Sequence, residues 1–103
     1  MAKRRRSFSF HPEAALEARG AVEWYSERSE HAAEKFKKLL RQAENSVTNH
    51  PQSWTPYLHG TRCFKLHRFP YVLVYLVRDD EIVGIAVAHL HRRPGYWRDR
   101  VVE

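Results

Sequence analysis

A chain of 103 residues, 43% hydrophobic and 29% charged, has the length and balance of one globular domain, which excludes a fibrous or low-complexity protein. Its formal charge of +6, from 18 basic and 12 acidic side chains, favours anionic partners: nucleic acid, an acidic protein or, less readily, a membrane surface. A lone cysteine, Cys63, excludes an internal disulfide and points to a reducing, cytoplasmic setting.

The chain opens on Met1-Ala2-Lys3-Arg4-Arg5-Arg6 with no apolar stretch behind it, so residues 1–6 are expected to form a solvated basic tail and not a signal peptide. No apolar run reaches membrane-spanning length. Residues 1–103 are therefore expected to form one domain. Ser7-Phe8-Ser9-Phe10 alternates polar and apolar, as a half-buried strand does. His11-Pro12-Glu13 predicts a helix entry, with Pro12 at the first helical position. Ala15, Ala18, Val22 and Tyr25 follow at helical spacing, and Gly20 within that helix calls for a packing reason. Ser29 predicts the cap of a second helix. Its apolar stripe is Ala32, Phe36, Leu39, Leu40, Ala43 and Val47, with a favourable Glu34–Lys38 spacing outside and a stop at Asn49-His50-Pro51.

Pro51 to Gly60 reads as a loop anchored by Trp54 and Tyr57. Arg62, Phe64 and Leu66 alternate with Cys63, Lys65 and His67. Tyr71 to Val77 is β-branched and aromatic, Asp79-Asp80 turns the chain, and Ile82 to Ala88 returns, with Gly84 marking a bulge or close backbone approach. The predicted class is α+β: a strand, a two-helix antiparallel hairpin, then a three-stranded antiparallel meander, in one largely antiparallel sheet.

The ordered set Ala21-Val22-Glu23-Trp24-Tyr25, Ala33-x-x-Phe36, Pro51, Gly60-Thr61-Arg62, Arg68-Phe69-Pro70-Tyr71, Val74-Tyr75, Ala86-Val87-Ala88-His89 and Arg92-x-Pro94-x-Tyr96-Trp97 resembles the RelE/ParE toxins of type II toxin–antitoxin modules, closer to the ParE and plasmid-stabilisation side. The resemblance covers Ser7 to about Arg100. It implies a small bacterial toxin silenced by a cognate antitoxin, and two activities: inhibition of DNA gyrase by ParE-like members, and cleavage of messenger RNA on the ribosome by RelE-like members.

The residues bear on both. Cleavage through a 2′-hydroxyl needs proton transfer and charge neutralisation at phosphorus. His89 and His91 supply imidazoles, Arg62, Lys65, Arg68, Arg92 and Arg93 supply cations for phosphate, and Tyr96 or Trp97 can stack on a base. The catalytic candidates, if the chain is a metal-independent ribonuclease, are His89, Arg92 and Tyr96. The candidates for target or phosphate binding are Arg62, Lys65, Arg68 and Arg93. Against cleavage, RelE-like ribonucleases carry an arginine where this chain has Val72 beside Tyr71. Gyrase inhibition needs a shaped basic surface and no reaction chemistry, and that reading is preferred. The plainer roles are a structural His89, an Arg62 paired with Asp80 or Glu81, a solvated Arg-rich C-terminal segment, and Tyr96-Trp97 as a plug on the core.

Cys63, His59, His67, His89 and His91 are metal-ligand types without ligand spacing, so no metal or cofactor is expected, and no small-molecule substrate. The expected partners are an acidic, partly disordered antitoxin and either gyrase or ribosome-bound messenger. A non-toxic binding module is the third class.

Overall fold

Strand β1 (Ser7–Phe10) leads directly into helix α1 (Pro12–Ser26), because Pro12 presets the first helical turn and the His11 ring accepts the Glu13 N–H at 3.1 Å. In the computed structural model, which describes residues 6–101, the chain continues through α2 (Glu30–Asn49), β2 (Thr55–Pro56), β3 (Arg62–Lys65), β4 (Tyr71–Arg78) and β5 (Glu81–His89). Single 3-10 turns lie at Leu58–Gly60 and Arg98–Arg100. Lys3 to Arg5 of the expected basic tail fall outside the described residues; Arg6 donates to the Asp79 carbonyl at 3.2 Å.

Ser29 caps α2 by accepting the Ala32 N–H, as its sequence position predicts. The buried stripe of α2 is Ala33, Phe36, Leu40, Ala43 and Val47, with Ala32 and Leu39 at its margins. On α1 the face is rotated by one residue from the expectation: Ala14 and Ala21 are buried, and Ala18, Val22 and Tyr25 flank them. Gly20 has no packing reason, since a side chain there would meet open space. The outer ion pair is Glu34–Lys37, one residue closer than expected.

The sheet has five strands in the order β1-β5-β4-β3-β2. The meander β3-β4-β5 is antiparallel, and β1 adds parallel to β5. The fourth antiparallel strand, β2, was read as loop; two residues with one proline carry no alternation to detect. The Tyr75 ring lies at the core centre, fully buried, and its hydroxyl donates to the Pro51 carbonyl at 2.7 Å. Gly84 lies at the expected irregularity, and the close approach there is made by aromatic rings and not by backbone. The register shifts beside its partner Tyr75, and a Cβ on Gly84 would stand 2.6 Å from the Phe10 ring.

The two sheet faces carry different cores. One, under the helices, gathers Phe36, Leu66, Leu73, Tyr75, Ile82 and Val87. The other gathers Val74, Ile85, Ala86 and Ala88 beneath Trp97, which is 1% exposed. Trp97 is thus the plug that closes the second face.

One edge of β5 is only half covered. Its pairing with β1 ends at Phe10–Gly84, where the His11 N–H still reaches the Gly84 carbonyl at 2.8 Å before the chain turns into α1. Among the described residues no strand continues along that edge past Gly84.

Candidate functional site

The open edge of β5 is closed by side chains. Glu17, one turn into α1, accepts the Val87 N–H at 3.0 Å, so its carboxylate takes the place of a neighbouring strand's carbonyl. Arg100 complements it, donating to the Ile85 carbonyl at 3.0 Å and forking onto both Glu17 oxygens at 2.9 and 3.0 Å. The Tyr96 hydroxyl donates to Glu17 Oε2 at 2.6 Å, and the Arg92 guanidinium lies 3.6 Å from that oxygen and 3.7 Å above the Tyr96 ring. The Glu17 and Arg100 side chains are only 15% and 14% exposed, whereas Arg92 is 54% exposed.

His89, at the end of β5, stands edge-on to its cross-strand partner Tyr71 at 5.1 Å. Its Nδ1 accepts the His91 N–H at 3.0 Å, which leaves the neutral ring's proton on Nε2. His89 and Arg92 line a groove of about 400 Å³ between α1 and the sheet end, with Glu17, Trp24, Tyr25 and Tyr71. Its rim on α1 carries Gly20 and Trp24, spaced one turn apart and both exposed, and Arg28 covers the Trp24 ring at 3.6 Å.

The fold therefore brings together His89, Arg92 and Tyr96, and Glu17 is the group that joins the last two. It does not bring the other candidates to them. Arg62 faces the helices beside Tyr75 and donates to the Trp54 carbonyl at 2.6 Å, in place of the Asp80 or Glu81 pairing. Trp54 is itself pinned to Ser46 and packed on Phe64, so Arg62 closes the loop that Trp54 anchors. Lys65 is taken up by the Leu66 and Phe69 carbonyls at 2.6 Å each. Arg68 tops the β3–β4 turn at positive φ, its Nε 3.3 Å from His67. Arg93 lines a separate cleft with His59. Among the described residues, no three His, Cys, Asp or Glu side chains converge as metal ligands.

Glu17 and Arg100 were absent from the sequence candidates, and Arg100 is no part of a solvated tail. The legible signal was a carboxylate at helical spacing between Ala14 and Ala21, on the side of α1 that packs inward, but its partners lie 70 to 83 residues away in the chain. Burial, reinforced by the Glu17 hydrogen bond and charge, raises the Tyr96 phenol well above its ordinary range, against the opposing pull of Arg92 and Arg100. Burial pushes Tyr75 up to about 12 and also raises Tyr71. Folded phenols thus keep protons that unfolded ones lose near pH ~10. This stabilisation is complete below that pH and declines as pH rises through the folded values. Denaturation midpoints are expected to fall steadily above pH ~10, with the Tyr71, Tyr75 and Tyr96 phenols ionising chiefly on unfolding.

The sequence profile of the ParE toxins of type II toxin–antitoxin systems, parDE, matches residues 8–94. The chain belongs to this family. The ParE match spans everything from β1 to the Arg92–Pro94 turn, and the preference for the ParE side of the resemblance agrees with it. The ParE fold is also seen in a solved structure described as a chromosomal ParDE toxin–antitoxin system from P. aeruginosa, which superposes with a TM-score of 0.62 at 19% identity, over 84% of this chain and 98% of that one. No curated protein sequence matches the chain significantly. No helix of the described residues is long and apolar enough to cross a membrane.

Proposed function

We propose that this ParE-family toxin acts in the cytoplasm by binding and inhibiting DNA gyrase, without chemistry of its own, and is neutralised by a cognate acidic antitoxin. The observation that carries this reading is the occupation of the would-be catalytic groups. Tyr96 is hydrogen-bonded to Glu17 and held in its neutral form, and Arg92 is shared between the Glu17 carboxylate and the Tyr96 ring. A ribonuclease needs the reverse: a cation free to meet developing charge at phosphorus, and a proton donor or base unencumbered at the moment of attack. Val72, paired with Lys65 and Ala88 on the central strands, brings no charge either.

The groove favours a protein target. Its half-exposed Trp24 offers apolar contact, and Arg92 and Arg28 beside it offer charge to an acidic partner. An antitoxin segment with alternating apolar and acidic side chains has the complementary chemistry.

Purified protein is expected to block gyrase supercoiling at stoichiometric concentration and to leave ribosome-bound messenger intact. His89→Ala is expected to retain toxicity on induction, and Arg92→Ala to weaken it at matched soluble levels. Messenger cleavage that disappears in His89→Ala, with supercoiling untouched, would replace this reading with the ribonuclease one.

A further inference from the structure

Behind Trp97 the chain builds a second concavity, separate from the Glu17 groove. His59, from the Leu58–Gly60 turn, forms one wall and the segment from Arg93 to Asp99 forms the other, around about 360 Å³. His59 stands on the first wall in the left-handed region, at φ 58° and ψ 35°, a conformation uncommon for a residue with a Cβ. Its neighbours impose it. The Tyr57 N–H reaches the Thr61 carbonyl at 2.8 Å, and buried Thr61 returns both its N–H and its hydroxyl to the Leu58 carbonyl, at 3.2 and 2.6 Å. The His59 ring then rests edge-on against Trp97 at 5.8 Å. Gly95 completes the fit: its φ of +81° suits glycine, and a Cβ there would press on His59 Nε2 at 3.4 Å.

The opposite wall sorts four arginines. Arg92 and Arg100 turn to Glu17 and share its single carboxylate. Arg93 and Arg98 turn into the cleft, because the Tyr96 N–H closes on the Arg93 carbonyl at 3.2 Å and the Arg98 N–H on the Gly95 carbonyl at 3.0 Å. Neither has a carboxylate partner within salt-bridge distance among the described residues, and Asp99 is the only acid on the lining. Two guanidinium forks and an imidazole around one space outnumber the two oxygens of a carboxylate and suit the oxygens of a tetrahedral anion.

We propose that this cleft binds a phosphate group through His59, Arg93 and Arg98. The site does not overlap Glu17, His89 or Arg92, and it stands whether or not gyrase is the target. The phosphate comes either from a nucleic-acid backbone or from a free phosphate or small ester, and both present the same oxygens.

The test is a titration of the full chain, followed through the amide resonances of His59 and Gly95. Inorganic phosphate at constant ionic strength is expected to give saturable shifts that chloride does not. Arg93→Gln combined with Arg98→Gln is expected to weaken binding by about ten-fold or more, since each removes a charge-assisted contact. His59→Asn, which tolerates the left-handed backbone, is expected to weaken it several-fold with the melting temperature little changed. Asp99→Asn is expected to tighten it. A single-stranded DNA hexamer separates the sources: binding about ten-fold tighter than phosphate, and weakening with salt, identifies a nucleic-acid backbone. Affinity equal to phosphate identifies a free or small phosphate. Shifts that grow linearly and equally with chloride, or phosphate affinity unchanged in the double arginine variant, would overturn the site. No gyrase enters the assay, so its outcome is separable from that of the proposed function.

Discussion

Glu17→Ala is expected to be the most damaging single polar substitution in the molecule. The carboxylate accepts from the Val87 amide, the Tyr96 hydroxyl and both Arg100 nitrogens, and it draws in Arg92. Its loss orphans a sheet amide, strands the Arg100 cation at 14% exposure and frees the Tyr96 hydroxyl. Breaking a buried pair from one side typically costs about 3–5 kcal/mol, because the remaining charge stays desolvated. In a domain this size, whose total stability is of order 5–15 kcal/mol, that is a large fraction. The expected drop in melting temperature is roughly 4–8 °C per kcal/mol. Urea denaturation is the direct check. Glu17→Ala combined with Arg100→Met should be less damaging than Glu17→Ala alone, since the stranded charge is then gone. A near-neutral single variant would show that water replaces the carboxylate at the β5 edge.

Trp97→Ala is expected to cost about 3–5 kcal/mol, by removing a buried aromatic and leaving a void over the second sheet face. Trp97 covers Val74, Ile85, Ala86 and Ala88, and it supports the rings of Tyr57 and His59. The loss should appear in denaturant as a lower midpoint and, in hydrogen exchange, as faster exchange concentrated in the segment from Arg93 to Val101 and in the Leu58–Gly60 turn. Trp97→Phe, which keeps a ring, should recover much of it. An equal loss in both variants would mean that filling the space with any other shape fails.

The contrast between these two residues shows what a sequence of this kind discloses. Trp97 was legible as a plug because a large aromatic pair after Pro94-Gly95 has few other uses in a small domain. Both helices were legible from their caps and apolar spacing, and the long strands from β-branched runs, because these signals are local. Strand β2 was hidden by its length, and β1's parallel pairing by its distance from β5. The groups gathered at the β5 end were foreseen as residue types, but their pairing was not. Arg92 and Tyr96 read as free functional groups because nothing in the linear order announces a carboxylate on α1 coming to meet them. Arg62 and Lys65 were drawn to the candidate set by charge alone, and their actual partners are backbone carbonyls, which composition never reveals.

The pairing of Ser7 with Glu81 has a kinetic consequence. The helical hairpin and the β3–β5 meander can each form from near neighbours, but β1 has no partner until the far end of the meander exists. Until then Phe8 and Phe10 remain uncovered and Gly84 lacks the rings that fill its place. The joining of the chain's two halves is therefore expected to be the late event in folding, and the Glu17 clasp, which ties α1 to β5 and to the segment beyond it, locks only after that union. A nascent copy is expected to pass through a stage with helices and hairpins in place and the groove between α1 and the sheet end not yet assembled.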